Sequence, residues 1–240
     1  MNFKRIRYEF IQSLLANTDT EQGALFLVDK PKFVTSYEIV HTFKSAYRRL
    51  GIKKLKIGHA GTLDPLASGL LLLCVGKNTK SIPQLQDLPK TYSGIFLMGM
   101  RTPSFDLETE VEEKYPTEHI TLELLDEARR RFLGKIEQFP PIYSAVKFNG
   151  KRAYDLARSG EKELALSSRV AEVFSFDLFD FKMPELGFRI KCSKGTYIRS
   201  IANDFGIALG NGACLGALIR ESIGDYKLEN AIRIPPEMLF

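Results

Sequence analysis

The spacing of apolar and polar residues predicts alternating strands and helices in the first third of the chain. Residues 24–31 (ALFLVDKP) are typical of a strand that ends at a proline. Thr35 and Glu38 have the spacing of a capping box, and the apolar positions after them predict a helix that ends at Gly51. Residues 70–75 (LLLLCV) are apolar throughout, so they predict either a buried strand or a short buried helix.

The rest of the chain adds further strands. The predicted elements are a glycine-rich loop at 57–69, a strand at 92–100, an exposed acidic connection at 102–117, a helix from Thr121 to Gly134, a turn at 149–150 followed by a short helix, strands at 170–181 and 187–193, and helices at 197–209 and 213–221. Strands outnumber what a βαβ alternation would give, so we predict an α+β fold with a central, largely antiparallel mixed sheet flanked by helices and loops.

The positive charge of the chain is clustered. The net charge is +5, and residues 44–56 carry six basic side chains and no acidic one. Residues 189–199 carry four more basic side chains, again without an acidic one. Such clustering fits either a polyanionic partner or a solvated basic face, and charge alone does not choose between them.

Cysteine spacing and hydropathy indicate the cellular location expected for the protein. The three cysteines, Cys74, Cys192 and Cys214, lie far apart without the spacing of a metal or redox site. Sparse cysteines fit a reducing, cytoplasmic location. The longest apolar run is six residues, so no membrane span or membrane partner is expected.

One acidic residue stands out in residues 56–76 (KIGHAGTLDPLASGLLLLCVG). The spacing from Gly69 to Gly76 does not fit a phosphate-binding loop. Asp64 precedes Pro65, which is compatible with a simple Asx turn. The alternative is a carboxylate kept ionised in apolar surroundings by a cation such as Arg199.

Several motifs in order resemble the TruB-type tRNA pseudouridine synthases. They are LFLVDKP…TS at 25–36, KIGHAGTLDPLASGLLLLCVGKNTK at 56–80, KTY at 90–92, PPIYSAVKFNGKRAYDLAR at 140–158, CSKGTYIRSIANDFGIALGNGA at 192–213 and LIRESIG at 218–224. The resemblance covers about residues 23–232. It implies the pseudouridine synthase fold and conversion of uridine 55 in the T-loop of tRNA to pseudouridine, with no cofactor and no metal.

The resemblance also implies catalytic roles. Asp64 corresponds to the family's nucleophile, which attacks the ribose C1′ or assists formation of a glycal intermediate. Arg199 corresponds to the partner of that nucleophile. Tyr92 corresponds to the residue that stacks on the flipped uracil and handles a proton.

Further positions correspond to substrate contacts. His59 matches a histidine that enters the vacated position in the T-loop, while Tyr197 and Leu218 match residues of the uracil pocket. Contacts to the RNA backbone are expected from a group of basic residues, namely Lys44, Arg48, Lys147, Lys151 and Arg152.

The chain departs from the family pattern at four places. Phe33 replaces a usual glycine, Pro103 and Ser104 replace the Asp and Thr of a TDTxD loop, and Ile219 replaces an arginine. The resemblance also implies an N-terminal extension at 1–22, a catalytic domain at 23–232 and a short tail at 233–240 without a complete C-terminal RNA-binding PUA domain. We therefore expect a compact bacterial enzyme that acts on tRNA as a monomer and without a guide RNA.

Three other functions are compatible with parts of the sequence. One is a non-catalytic RNA-folding module, against which Asp64, Tyr92 and Arg199 argue. Another is a ribosomal RNA pseudouridine synthase, although those families typically carry GRLD where this chain has GTLD. The third is a hydrolase with an aspartate nucleophile, for which no second carboxylate motif is present.

Overall fold

A computed structural model describes residues 22–234 except 145, 149, 154–155, 157–158 and 160–165. These residues form two compact units. The first unit contains the described residues up to Lys90 and those from Ile219 onward, and the second unit contains Thr91–Leu218. The predicted N-terminal extension lies outside the described residues except for Gln22.

Strands dominate the described residues. In chain order they are β1 (Ala24–Lys30), β2 (Ile57–His59), β3 (Ser68–Val75), β4 (Lys90–Met98), β5 (Met100–Arg101), β6 (Glu113–Lys114), β7 (Gly134–Gln138), β8 (Lys147–Phe148), β9 (Lys151–Arg152), β10 (Arg169–Lys182), β11 (Glu185–Cys192), β12 (Ala213–Ile223), β13 (Tyr226–Lys227) and β14 (Ile232–Arg233). The helices are α1 (Ser36–Arg49), α2 (Ile82–Asp87), α3 (Leu122–Arg130) and α4 (Ile198–Ala208), and short 3-10 turns occur at Gly76–Ser81 and Leu228–Asn230. The predicted α+β class with a mixed sheet is confirmed.

In the first unit, β3 is the central strand. The strand order is β14, β1, β3 and the end of β12, and β2 also pairs with β3. Alternate residues of β3 belong to two different apolar clusters, so Leu71 and Leu73 pack with α1 while Leu70 and Leu72 pack on the opposite face. Because both faces of β3 are covered, its sequence is apolar throughout rather than alternating. The apolar run at 70–75 is therefore a strand.

The helix α1 covers one face of this sheet. Its capping box is present as predicted, since the Thr35 side chain accepts from the Glu38 backbone and the Glu38 carboxylate accepts from the Thr35 backbone. The buried face of the helix includes Ile39, Val40 and Phe43. This local signal correctly predicted where α1 begins.

The second unit has an aromatic core. Its strand order is β4, β11, β10 and β7, with antiparallel pairing of β10 to both β11 and β7. Phe96 of β4 stacks on Phe188 of β11 with ring centroids 4.0 Å apart, and Phe205 of α4 lies 5.9 Å from Phe96. These contacts fix α4 against the sheet.

Three predicted elements differ from the structure. Residues 213–221 form the strand β12 instead of a helix, residues 57–59 of the predicted loop form β2, and the helix α3 ends at Arg130 because β7 begins at Gly134. The segment ACLGALIRESI is short and apolar, so its spacing fits a helix as well as a strand. The segment forms a strand because it pairs with β3 at Ile219 and Arg220 and also pairs with β4, and both of these strands are distant in sequence. No described helix has the length and apolar character needed to cross a membrane.

Candidate active site

Asp64 lies in the loop between β2 and β3, and the backbone on both sides of it is fixed. The Ser36 hydroxyl accepts from the Leu63 N–H at 3.0 Å and donates to the Leu63 carbonyl at 3.1 Å. The Phe33 N–H donates to the Pro65 carbonyl at 2.7 Å. Both residues that flank Asp64 are therefore held by the segment that leads into α1, and this arrangement positions the half-buried carboxylate.

Lys30 supplies a buried positive charge beneath this loop. Its side chain is fully buried, and its ammonium donates to the carbonyls of Pro31, Val34 and Ala67 at 3.0, 2.7 and 2.6 Å. Burial lowers the pKa of Lys30 to about 8, although the negative charge of Asp64 opposes this lowering. Lys30 therefore interacts electrostatically with Asp64 while it holds the loop.

Arg220 holds the same loop at its two ends. The guanidinium is buried and donates to the carbonyls of Leu70, Gly61 and Thr62 at 2.7, 3.1 and 3.3 Å. Gly69 lets the Arg220 backbone pair closely with β3, because its φ is +107° and an added Cβ would lie 2.5 Å from the Arg220 carbonyl oxygen. The glycine-rich segment is therefore a rigid loop.

His59 lies on β2, five residues before Asp64. Its ring is half-buried, and burial lowers its pKa, with the positive charge of Arg220 lowering it further. The imidazole is therefore neutral at pH 7.

In the second unit, Arg199 lies in the first turn of α4 and is buried. Its guanidinium donates to the Tyr143 carbonyl at 2.9 Å and to the Ser104 carbonyl at 3.3 Å. Its Nε lies 3.6 Å from a carboxylate oxygen of Asp106, which is also buried. The carbonyls and this carboxylate fix the guanidinium in one orientation.

The predicted exposed connection at 102–117 is therefore wrong in its first part. Thr102, Ser104 and Asp106 are buried, and both hydroxyls donate to the Asp106 carbonyl, at 2.7 Å from Thr102 and 3.1 Å from Ser104. Only the later acidic residues of the segment, Glu108, Glu110, Glu112 and Glu113, are exposed as predicted. A buried carboxylate needs a cation, and Arg199 provides it.

Tyr197 is held at the start of α4 by two neighbours. The Gln138 amide donates to the Tyr197 carbonyl at 2.9 Å and accepts from its N–H at 2.7 Å. The Arg169 guanidinium lies 4.8 Å from the centre of the Tyr197 ring. Of the other predicted pocket residues, Tyr92 is half-buried on β4 and Leu218 is buried on β12.

The remaining predicted RNA contacts lie in two places. Lys44 and Arg48 project from α1 in the first unit, at a groove of about 350 Å³. In the second unit, β8 and β9 are antiparallel, with Lys147 paired to Arg152, and residue 149 of the predicted turn at 149–150 lies outside the described residues. The side chains of Lys147, Lys151 and Arg152 lie outside the described part of the structure.

The groove beside α1 carries more basic side chains than the two predicted RNA contacts, Lys44 and Arg48. The segment after Gly51 returns along the helix and adds Lys53, Lys54 and Lys56, all of which are exposed. None of the five cations at the groove forms an ion pair with a described residue. By contrast, each arginine of the cluster at 129–131 pairs with a carboxylate of α3.

Sequence reasoning missed four residues of these sites, namely Lys30, Asp106, Gln138 and Arg220. Lys30 and Arg220 lie within the quoted motifs, but lysine and arginine are rarely fully buried, so the sequence gave no signal that either side chain faces the core. Asp106 and Gln138 likewise gave no local signal. Among the described residues, no group of three or more His, Cys, Asp or Glu side chains is arranged to hold a metal ion.

Replacing Lys30 with methionine should change how stability depends on pH. The pKa of Lys30 is about 8 in the folded protein against 10.5 ordinarily, so between these values the unfolded chain binds a proton that the folded protein has lost. The contribution of this group to the free energy of unfolding therefore rises with pH across that window. Urea denaturation at about pH 7.5 and about pH 9.5 should show wild type gaining about 2 kcal/mol relative to Lys30→Met. An equal difference at both pH values would mean that Lys30 titrates normally.

The chain has clear relatives of known family. A model described as "TruB family pseudouridylate synthase (N terminal domain)" matches residues 48–198. The tRNA pseudouridine synthase B of Phocaeicola vulgatus is 48% identical over 222 residues, which cover 91% of this chain and 94% of that protein. The tRNA pseudouridine synthase B of Flavobacterium johnsoniae is 49% identical over 215 residues, which cover 89% and 93%.

Solved structures agree with these sequence matches. A chain from the crystal structure of a Cbf5-Nop10-Gar1 complex superposes with a TM-score of 0.67 at 26% identity, covering 90% of this chain. This chain spans about half of that solved chain, 53% of its length. The sequence resemblance is thereby confirmed, and the chain belongs to the TruB family of pseudouridine synthases, isomerases that convert uridine in RNA to pseudouridine.

Proposed function

We propose that the protein converts uridine 55 in the T-loop of tRNA to pseudouridine, with Asp64 as the nucleophile. The observation that carries this proposal is the rigid loop around Asp64, where Ser36, Lys30 and Arg220 fix the backbone before and after the carboxylate. The names of the two relatives from Phocaeicola vulgatus and Flavobacterium johnsoniae support tRNA as the substrate. We assign the catalytic domain to residues 23–232.

The reaction requires an ionised carboxylate at a fixed position. The bond from ribose C1′ to uracil N1 breaks and leaves its electron pair on N1, the base turns, and C1′ bonds to C5. C5 then loses its proton and N1 gains one, so the product is an isomer of the substrate. Asp64 either attacks C1′ directly or assists a glycal intermediate. The task of the protein is to hold this carboxylate at the position where it meets the ribose. Arg199 is proposed as the cation that partners this carboxylate.

The target uridine has to leave the base stack before this chemistry can occur. We propose that Tyr92 stacks on the flipped uracil, and that Tyr197 and Leu218 complete the pocket. His59 is proposed to occupy the position that the uridine leaves in the T-loop. A neutral imidazole suits this role because it enters a stack of bases without desolvating a charge.

We propose that the protein binds tRNA directly, as a monomer and without a guide RNA. The groove beside α1 supports direct binding, because its five cations have no carboxylate partner among the described residues. Such cations favour RNA phosphates and release bound counterions on association. Lys147, Lys151 and Arg152 of the β8–β9 hairpin are proposed as further backbone contacts.

Replacing Lys53 and Lys54 with glutamine should weaken RNA binding and make it less dependent on salt. Two lost phosphate contacts should reduce the slope of log Kd against log salt by about 1 to 2. The matched control, Arg130→Gln with Arg131→Gln, removes the same charge from arginines that already have carboxylate partners. Filter binding of T-arm RNA from low to high salt measures both slopes. Equal slopes for the groove variant and wild type would exclude the groove from the RNA interface.

Release of tritium tests the proposed activity. A T-arm RNA carries tritium at C5 of uridine 55 only, and its conversion to pseudouridine sends that label into water. Wild type should release one label per RNA. Retention of the label under conditions in which the RNA is bound would contradict the proposed function.

A further inference from the structure

Phe33 combines two unfavourable features. Its φ is +65°, which is the left-handed region that residues other than glycine rarely adopt. Its side chain is 75% exposed, although the next residue, Val34, is fully buried. Residues held in sparsely populated backbone regions cluster at functional sites, and the exposed ring of Phe33 is available to a ligand at such a position.

The surrounding structure imposes this conformation. The buried ammonium of Lys30 holds the turn in this geometry, because it donates to the carbonyls of Pro31 and Val34 on either side of Phe33. The Phe33 N–H is also engaged, at 2.7 Å from the Pro65 carbonyl. The turn is thus fixed from both sides, and the Phe33 ring remains directed into solvent.

The same hydrogen bond ties Phe33 to the candidate nucleophile. Pro65 directly follows Asp64, so the exposed ring lies beside the loop that carries the carboxylate. A nucleotide whose ribose C1′ meets Asp64 brings its sequence neighbours to this edge of the loop. Unpaired bases stack on exposed aromatic rings without regard to sequence.

From this geometry we propose that Phe33 is a stacking platform for the base of a nucleotide adjacent to the flipped uridine. The identity of that base rests on the proposed function, since it is uridine 55 that Asp64 would engage. The family pattern has glycine at this position, so the contact would be a feature of this chain and of relatives with an aromatic residue there.

Three variants of Phe33 separate the ring from the backbone strain. Phe33→Gly removes both, Phe33→Leu removes the ring and keeps the strain, and Phe33→Trp keeps an aromatic surface. Loss of one stacked base should raise the Kd for T-arm RNA roughly tenfold in the glycine and leucine variants and leave the tryptophan variant within about twofold of wild type. Phe33→Gly should melt at the same temperature as wild type or higher, so weaker binding cannot be attributed to unfolding.

Abasic RNA identifies the stacked nucleotide. An abasic site on the side of uridine 55 that meets Phe33 should weaken binding to wild type and have no effect on binding to Phe33→Gly. An abasic site on the other side of uridine 55 should weaken the binding of wild type and of Phe33→Gly equally. Unchanged Kd values in the glycine and leucine variants, or equal losses for both abasic sites in both proteins, would overturn the proposal. The readout is the Kd and not tritium release, so this result is independent of whether wild type releases tritium from uridine 55.

Discussion

Asp64→Asn is expected to lower the release of tritium from uridine 55 by at least about a thousandfold while RNA affinity stays within about twofold of wild type. Asparagine has nearly the same shape and accepts the same backbone geometry, but its amide is a far weaker nucleophile than a carboxylate. The loop should not rearrange, because Ser36, Lys30 and Arg220 hold backbone atoms and none of these hydrogen bonds involves the Asp64 side chain.

Asp225→Asn is the matched control for this change. It makes the same substitution at an exposed aspartate in the turn between β12 and β13, and should leave the rate at the wild-type level. If Asp64→Asn retained full activity, Asp64 would not be the nucleophile. If it lost RNA binding to the same extent as the rate, the carboxylate would serve to hold the substrate.

Arg199→Lys is expected to lower the rate by about a hundredfold or more with little effect on RNA affinity. The guanidinium contacts the Tyr143 and Ser104 carbonyls and lies 3.6 Å from the Asp106 carboxylate. A lysine ammonium is a point charge at the end of a flexible stem and cannot keep these contacts in the same directions. Loss of the two carbonyl contacts should also reduce the free energy of unfolding by about 1–3 kcal/mol.

The control for this variant is Arg131→Lys at the C-terminal end of α3, an exposed arginine that pairs with Glu127. It should keep both the rate and the melting temperature of wild type. Single-turnover tritium release with saturating enzyme separates the chemical step from binding. A wild-type rate for Arg199→Lys would mean that charge alone at this position is sufficient, and that the orientation set by Asp106 has no role in catalysis.

Local signals made part of this fold predictable. The Thr35–Glu38 capping box lies within four residues, and it marked the start of α1 correctly because its hydrogen bonds involve only neighbouring backbone. The strands β10 and β11 were predictable since their alternation reflects one buried and one exposed face. Asp64 was identified from its motif, although its role as nucleophile remains a prediction.

Features that depend on distant contacts were not predictable. The segment 213–221 was predicted as a helix, and its pairing with strands that are distant in sequence, β3 and β4, makes it the strand β12. The Lys30 ammonium meets the Ala67 carbonyl 37 residues away, and the Arg220 guanidinium meets the Leu70 carbonyl 150 residues away. No pattern along the chain reports such pairs, because each is set by how separate strands come together in space.

Asp106 illustrates the same limit for the candidate active site. Its segment contains several acidic residues, and composition favoured an exposed connection. The fold instead buries Asp106 beside Arg199 and leaves the later carboxylates in solvent. Burial of one particular carboxylate within an acidic segment depends on the cation that it meets, and that cation lies 93 residues further along the chain.

The most direct test of the account is to map pseudouridine at single-nucleotide resolution in a pool of unmodified tRNAs after incubation with the protein. The account predicts modification at uridine 55 across the pool, and none when Asp64→Asn replaces wild type. Pseudouridine at other positions with uridine 55 unchanged, or a pool without any pseudouridine, would contradict it.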